Sequence, residues 1–295
     1  MLFGPKFLSL KLYQLSPPEH FIQGALTLNS TAMADINNQK HFVLVHGACH
    51  GAWCWKKLET LLESASNRVT LLDLAASGTN MKKIEDVETF DEYSEPLLDF
   101  LASLQPKEKV ILVGHSLGGI NLALAAEKFP NKIAVAVFVT AFMPDTTHKP
   151  SFVMDQCTER TPAEAWLDNQ YFPFSSSQRH LTAMLFGPKF LSLKLYQLSP
   201  PEDLEQARTL IRPGSLFLHD LSKADNFSAK GYGSVKRVYV ICDEDLAIPV
   251  EFQRWMIENS GADEVMEIKG ADHMVMFSKS QELSQCLSEI AKKHA

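Results

Sequence analysis

With 295 residues, 45% of them hydrophobic and 21% charged, the chain has the composition of a soluble globular protein that can bury one large core, or a core carrying an insertion. A formal net charge of −7 argues against nucleic acid as the main partner, and no apolar run approaches the roughly 18 residues needed to span a bilayer, so no membrane partner is expected. The five cysteines are odd in number, scattered and without metal-ligand spacing, which predicts a reduced, cytoplasmic protein with no disulfide framework, no metal and no cofactor.

The first feature along the chain is a duplication. Residues 1–19 recur without a change as residues 184–202. Nineteen identical positions in a row exclude chance, yet a single distant copy is not a solenoid, which needs several units at a short fixed period. Residues 1–39 are therefore read as an appendage outside the fold, with Met33 as an alternative start. Lys11 and the Pro17-Pro18 pair make this segment a poor secretory signal.

The fold proper is expected from His41, whose apolar run to Val45 predicts a buried strand ending in the loop His46-Gly47-Ala48-Cys49-His50-Gly51. Trp55, Leu58, Leu61 and Leu62 then mark one face of a helix. Residues 69–73 predict the second strand, and Phe90, Tyr93, Leu97, Leu101 and Leu104 a long helix that Pro96 should kink or divide. Residues 110–113 form the next short apolar run, followed by Gly114-His-Ser116-Leu-Gly118-Gly119 and a helical pattern through Ile120, Leu124 and Ala125. Residues 133–139 predict a further strand. Strands alternating with helices argue a parallel sheet covered on both faces.

That rhythm stops at Met143. From there to about Gly233 no strong strand is expected, only short helical pieces rich in aromatic residues such as Trp166, Tyr171 and Phe186. Alternation resumes with a strand at 237–242, a helix at 249–259 and a strand at 264–268, and a final helix carries Leu283, Leu287 and Ile290. The expected architecture is thus an α/β core (40–142 and 234–295) around a mostly parallel six-stranded sheet, with residues 143–233 as a mainly helical cap. Such an insertion folds over the carboxyl edge of the sheet, where α/β proteins bind ligands.

The chemistry is concentrated at Ser116. A strand that feeds a helix through Gly-x-Ser-x-Gly is a nucleophile elbow: a strained turn lifts the hydroxyl above the sheet, so small residues must flank it. The Leu117 amide then points at the reacting carbonyl, and the Ala48 amide, from the loop after the first strand, is the candidate second oxyanion donor. The order nucleophile, acid, base places the base after the last strand, where His273 is the histidine of the closing loop. Its acid should leave the strand at 237–242, where Asp243, Glu244 and Asp245 all qualify by spacing, and Asp272 reads as a cap or turn residue. His46 suits a bracing role, His50 is a candidate site residue, and His115 reads as the variable position of the elbow.

Five segments together carry a family resemblance: His41-Phe-Val-Leu-Val-His-Gly-Ala-Cys-His-Gly-Ala-Trp53, Asp73-Leu-Ala-Ala-Ser-Gly78, Gly114-His-Ser-Leu-Gly-Gly119, Gly233-Ser-Val-Lys-Arg-Val-Tyr239 and Lys269-Gly-Ala-Asp-His-Met274. They are similar to the plant methylesterase family of α/β-hydrolases, to which the α-hydroxynitrile lyases are related, over everything from about His41 to the C-terminus. The resemblance implies Ser116 as nucleophile, Asp245 as the triad acid and His273 as base, with Ala48 and Leu117 as oxyanion donors. It places Phe142, Trp166, Phe186, Leu216 and Met274 around an acyl group, to which the sequence adds His50 and Tyr171 as substrate-binding candidates. The expected activity is hydrolysis of a methyl ester of a small hydrophobic or aromatic acid (methyl salicylate, methyl jasmonate or methyl indole-3-acetate) through an acyl-enzyme, so the expected partners are that ester and its free acid. The alternatives are a hydroxynitrile lyase and a hormone-binding protein with little turnover. Lyases of the group carry Thr and Lys where this chain has Gly47 and Met274, and an apolar Met supplies no cation for departing cyanide. Leu246-Ala247 departs from the charged and small pair common in relatives. A homodimer is compatible with the sequence.

Overall fold

The computed structural model describes residues 39–176 and 179–295; the expected appendage at 1–39 lies, apart from Gln39, outside the described residues. Six parallel strands form the central sheet: β1 (His41–Val45), β2 (Arg68–Leu72), β3 (Val110–Ser116), β4 (Ile133–Ala141), then, after a long insertion, two more. Three helices separate the first four strands: α1 (Lys56–Ser64), α2 (Phe90–Ser103) and α3 (Gly118–Lys128).

The strands inside the sheet are apolar at nearly every position because helices cover both of its faces. Side chains alternate between two hydrophobic clusters. Val43, Val45, Leu112 and Phe138 join Leu97 and Leu101 of α2 and Ile120 of α3 on one face. Phe42, Leu44, Ile111 and Val137 join Leu58 and Leu62 of α1 on the other. A two-residue period along each strand meets a helical period on each flank. α2 runs unbroken through Pro96, contrary to a division of the helix there. The carbonyl that Pro96 cannot bond belongs to Glu92, an exposed residue whose backbone can turn to water.

Between β4 and the next sheet strand the insertion holds α4 (Phe152–Arg160), β5 (Gln170–Ser176), β6 (Arg179–Leu185), a helical turn at 188–195, α5 (Pro201–Leu210), β7 (Gly214–Ser215) and α6 (Leu218–Lys223). The expectation of no strand here is corrected: β5, β6 and β7 form an antiparallel three-stranded sheet in that order. Pro173 lies in the middle of β5 and reads as a breaker, but β5 is an outer strand, where a missing N–H costs no ladder bond.

The main sheet closes with β8 (Arg237–Cys242), α7 (Val250–Ser260) and β9 (Glu264–Ile268), and α8 (Ser280–His294) packs Leu283, Leu287 and Ile290 onto the second face. The strand order is β2-β1-β3-β4-β8-β9, all parallel. Every strand therefore ends at the same edge, and the loops after β1, β3, β4, β8 and β9 gather there. No helix among the described residues is long and apolar enough to cross a membrane.

Candidate active site

Ser116 is the last residue of β3 and sits at φ +54°, a conformation that L residues rarely adopt. The glycines around it leave no room for a side chain. A Cβ on Gly114 would lie 2.5 Å from Leu122 Cδ1, one on Gly118 2.8 Å from the Val45 carbonyl oxygen, and one on Gly119 2.1 Å from that of Phe142. The elbow is thus wedged between the loops after β1 and β4, and the Phe142 amide donates to the Ser116 carbonyl at 3.0 Å. Leu117 is buried immediately before the first turn of α3, where backbone N–H groups lack intrahelical partners. Gly47 brings the first loop against the same serine: a Cβ there would meet Ser116 Cβ at 2.8 Å. The amides of Ala48 and Leu117 therefore belong to the two segments that flank Ser116.

The loops after β8 and β9 bring Asp245 to His273, with Nδ1 donating to Oδ2 at 2.7 Å. Both side chains are buried. Four bonds hold the carboxylate: the amides of Ala247 and Ile248 donate to Oδ1 at 2.7 and 2.8 Å, and the Thr140 hydroxyl shares Oδ2 with His273. The other acids of these loops have different work. Asp243 accepts from the Gly270 amide at 2.6 Å, Glu244 is exposed, and Asp272 accepts from Leu198 N, Ser199 Oγ and Ser278 Oγ. Geometry thus singles out Asp245, where spacing left three carboxylates open. With its Nδ1 proton held by a carboxylate, neutral His273 keeps Nε2 bare, the tautomer that can accept a proton.

Three further histidines surround this pair, all held neutral by burial. Burial pulls His46 and His115 below the usual imidazole range, and His50 down to about 3. His46 Nδ1–H donates to the Gly47 carbonyl and Nε2 accepts from the Leu74 amide, which ties the first loop to the exit of β2. His115 is more than a variable elbow position. Its Nε2–H donates to the His273 carbonyl at 2.8 Å, and its ring lies 4.5 Å from the His273 ring, so the residue before Ser116 holds the loop that carries His273. None of the three adds a competing positive charge.

Rings form a line from the insertion to the first loop. Trp166 stacks on Phe190 with centroids 6.2 Å apart, Phe190 on Phe186 at 5.2 Å, and Phe186 lies 6.1 Å from His50, which stacks on Trp53 at 5.3 Å. Phe142 and Leu216 are half-buried against the core, and Met274 is fully buried, its amide donating to the Leu195 carbonyl. Tyr171 stands on the outer strand β5, half exposed. Sequence reasoning missed Thr140, Tyr196 and His115. Thr140 had a signal, its position at the carboxyl end of a strand whose neighbours all contribute loops to the site. Tyr196 had none.

Residues 42–285 match the α/β hydrolase family. The chain belongs to that family. This hydrolase is 60% identical to salicylic acid-binding protein 2 of Nicotiana tabacum over 255 residues, covering 86% of the chain and 98% of that relative. It is 56% identical to methylesterase 1 of Arabidopsis thaliana, covering 88% of the chain and 99% of the relative. The crystal structure of polyneuridine aldehyde esterase superposes with a TM-score of 0.84 at 50% identity, covering 86% of the hydrolase and 99% of the esterase.

Proposed function

We propose that this carboxylic ester hydrolase cleaves methyl esters of small hydrophobic or aromatic acids through a serine acyl-enzyme. The observation that carries the reading is the buried 2.7 Å bond between His273 Nδ1 and Asp245 Oδ2, in loops that close beside the positive-φ Ser116. In this reading His273 Nε2 takes the proton of Ser116 Oγ as the oxygen attacks the ester carbonyl. The amides of Ala48 and Leu117 receive the oxyanion, an effect worth roughly 10²–10³ in rate per donor. Collapse expels methoxide, which leaves as methanol with the proton from His273, and water then repeats the cycle to release the acid. Asp245 keeps the ring oriented and stabilises the imidazolium between the two proton transfers.

Phe142, Trp166, Phe186, Leu216 and Met274 are the proposed acyl pocket, with His50 at its polar end and Tyr171 at its outer rim. Methyl salicylate, methyl jasmonate and methyl indole-3-acetate are the proposed substrates; the names of the tobacco and Arabidopsis relatives support a salicylate or other methyl ester. Incubating the purified protein and its Ser116→Ala variant with these esters, and following release of the free acid, tests the reading. Turnover that vanishes in the variant supports it; no turnover of any ester overturns it.

The tobacco relative's name also favours a second reading, in which the free acid is held tightly and turnover is slow. Dissociation of salicylic acid much slower than one catalytic cycle would select it. Release of cyanide from mandelonitrile would instead select the lyase reading, which Gly47 and Met274 speak against. The protein is proposed to act in the cytoplasm, and its self-association as a homodimer is read by sedimentation.

A further inference from the structure

Five consecutive residues of the insertion, 195–199, contact three of the loops that carry the candidate machinery, those after β1, β8 and β9. The Leu195 carbonyl accepts from the Met274 amide at 3.3 Å. Gln197 Nε2 donates to the Glu244 carbonyl at 2.7 Å, beside Asp245. The Leu198 amide and Ser199 Oγ both donate to Asp272 Oδ2 at 2.9 Å, beside His273. The Tyr196 hydroxyl lies 2.8 Å from His50 Nε2, and His50 Nδ1 lies 2.9 Å from the Ala48 carbonyl.

The direction of this last relay is fixed by chemistry. A carbonyl oxygen only accepts, so His50 Nδ1 must carry the proton that reaches Ala48. A neutral imidazole has one N–H, which leaves Nε2 as an acceptor and makes the Tyr196 hydroxyl its donor. Burial favours these states on both sides, since it holds His50 neutral and raises the Tyr196 phenol well above its ordinary range. Tyr196 is only 2% exposed, stacks on His50, and leans on Phe277 with centroids 5.7 Å apart. Water therefore has little access to replace its hydroxyl.

We propose that residues 195–199 are a strap that fixes the catalytic loops together, and that Tyr196 is the positioning residue of the oxyanion loop, acting through His50 on the peptide of Ala48. The inference rests on the serine-hydrolase reading of Ser116. Tyr196 touches no reacting atom; it holds the Ala48 segment where the amide meets the developing oxyanion. Loop misplacement of about 1 Å is enough to cost on the order of 10²-fold in rate.

The test is the rate at which a small alkyl fluorophosphonate labels Ser116, read by intact mass on the full chain, together with kcat and KM for a hydrolysed ester. Phosphonylation forms a Ser116 O–P bond and expels fluoride, and it draws on the same oxyanion site and base without needing the natural substrate. Tyr196→Phe keeps the ring and removes the hydroxyl. Its labelling rate and kcat are expected to fall about tenfold or more, with KM changed less than threefold. His50→Leu, made in a different element, is expected to give a similar loss in labelling, and the double variant no greater loss than either alone, because both break one relay. Tyr196→Phe within twofold of the parent, or losses that multiply in the double variant, would overturn the proposal; if Tyr196→Phe does not fold, His50→Leu within twofold of the parent does so. A parent chain that labels at Ser116 but hydrolyses no ester would sink the ester reading and leave the strap to be judged by labelling alone.

Discussion

Asp245 is held by more than His273. Two amides on Oδ1 and the Thr140 hydroxyl on Oδ2 hold the buried carboxylate in place. Asp245→Asn keeps the volume but offers Nδ1 of His273 no carboxylate, so kcat should drop by about 10³–10⁴ while KM for the ester stays close to that of the parent. Thr140→Val should cost less, about tenfold, since three of the four contacts remain. Steady-state kinetics on both variants checks the order; equal losses would contradict the role given to the carboxylate. At this scale Ser116 and His273 were legible because motif and strand order locate them. Asp245 was not separable by spacing from Asp243 and Glu244; the resemblance chose it, and of the three it is the one whose carboxylate meets His273. His115 and Tyr196 were illegible because their partners, the His273 carbonyl and the His50 ring, lie 158 and 146 residues away.

The elbow is the element on which the site depends. Its glycines are there for close approach, and Gly119 shows it most sharply: a methyl group would sit 2.1 Å from the Phe142 carbonyl oxygen, a backbone atom that cannot swing aside. Gly119→Ala is expected to destabilise the fold by on the order of 1–3 kcal/mol and to lower kcat as α3 is pushed off the sheet edge. Denaturant unfolding and kinetics measure the two effects; unchanged stability would show that the wedge between elbow and β4 loop is looser than described. The other elements divide by how their sequence signal is made. β1, β3, β4 and β8 were readable because apolar runs of a few residues between turns have one common solution in an alternating chain. β5 was hidden by Pro173, which the edge position tolerates, and β7, with two residues, is too short to leave a pattern. α2 continued through Pro96 because the lost bond falls on an exposed turn.

Across the whole molecule, the parallel sheet gathers five loops on one edge and the insertion ties three of them together. The same edge concentrates buried neutral histidines, which makes stability depend on pH. His46, His50 and His115 all have their folded pKa depressed by burial, so the unfolded chain binds more protons than the folded one as pH falls. Their contribution is complete above about pH 6.5, the ordinary imidazole value, and is lost progressively toward the folded value, about 3 for His50. Asp272, raised by burial, acts in the opposite direction, but His41, also depressed by burial, adds to the three. The melting temperature is therefore expected to fall steadily between pH 6.5 and pH 4, and calorimetry across that range checks it; a flat profile would mean that the three rings charge without opening the site. The overall architecture was legible from the alternation of elements, and the insertion from where that alternation stopped. How the insertion grips these loops was not, because each contact joins residues between 47 and 146 positions apart in the chain.

The most direct test of the central claim is the release of free acid from a panel of methyl salicylate, methyl jasmonate and methyl indole-3-acetate by the full chain, measured beside Ser116→Ala. The account predicts steady turnover of at least one ester by the parent and a loss of about 10⁴-fold or more in the variant. No acid from any ester, or a variant that hydrolyses at the parent's rate, would contradict it.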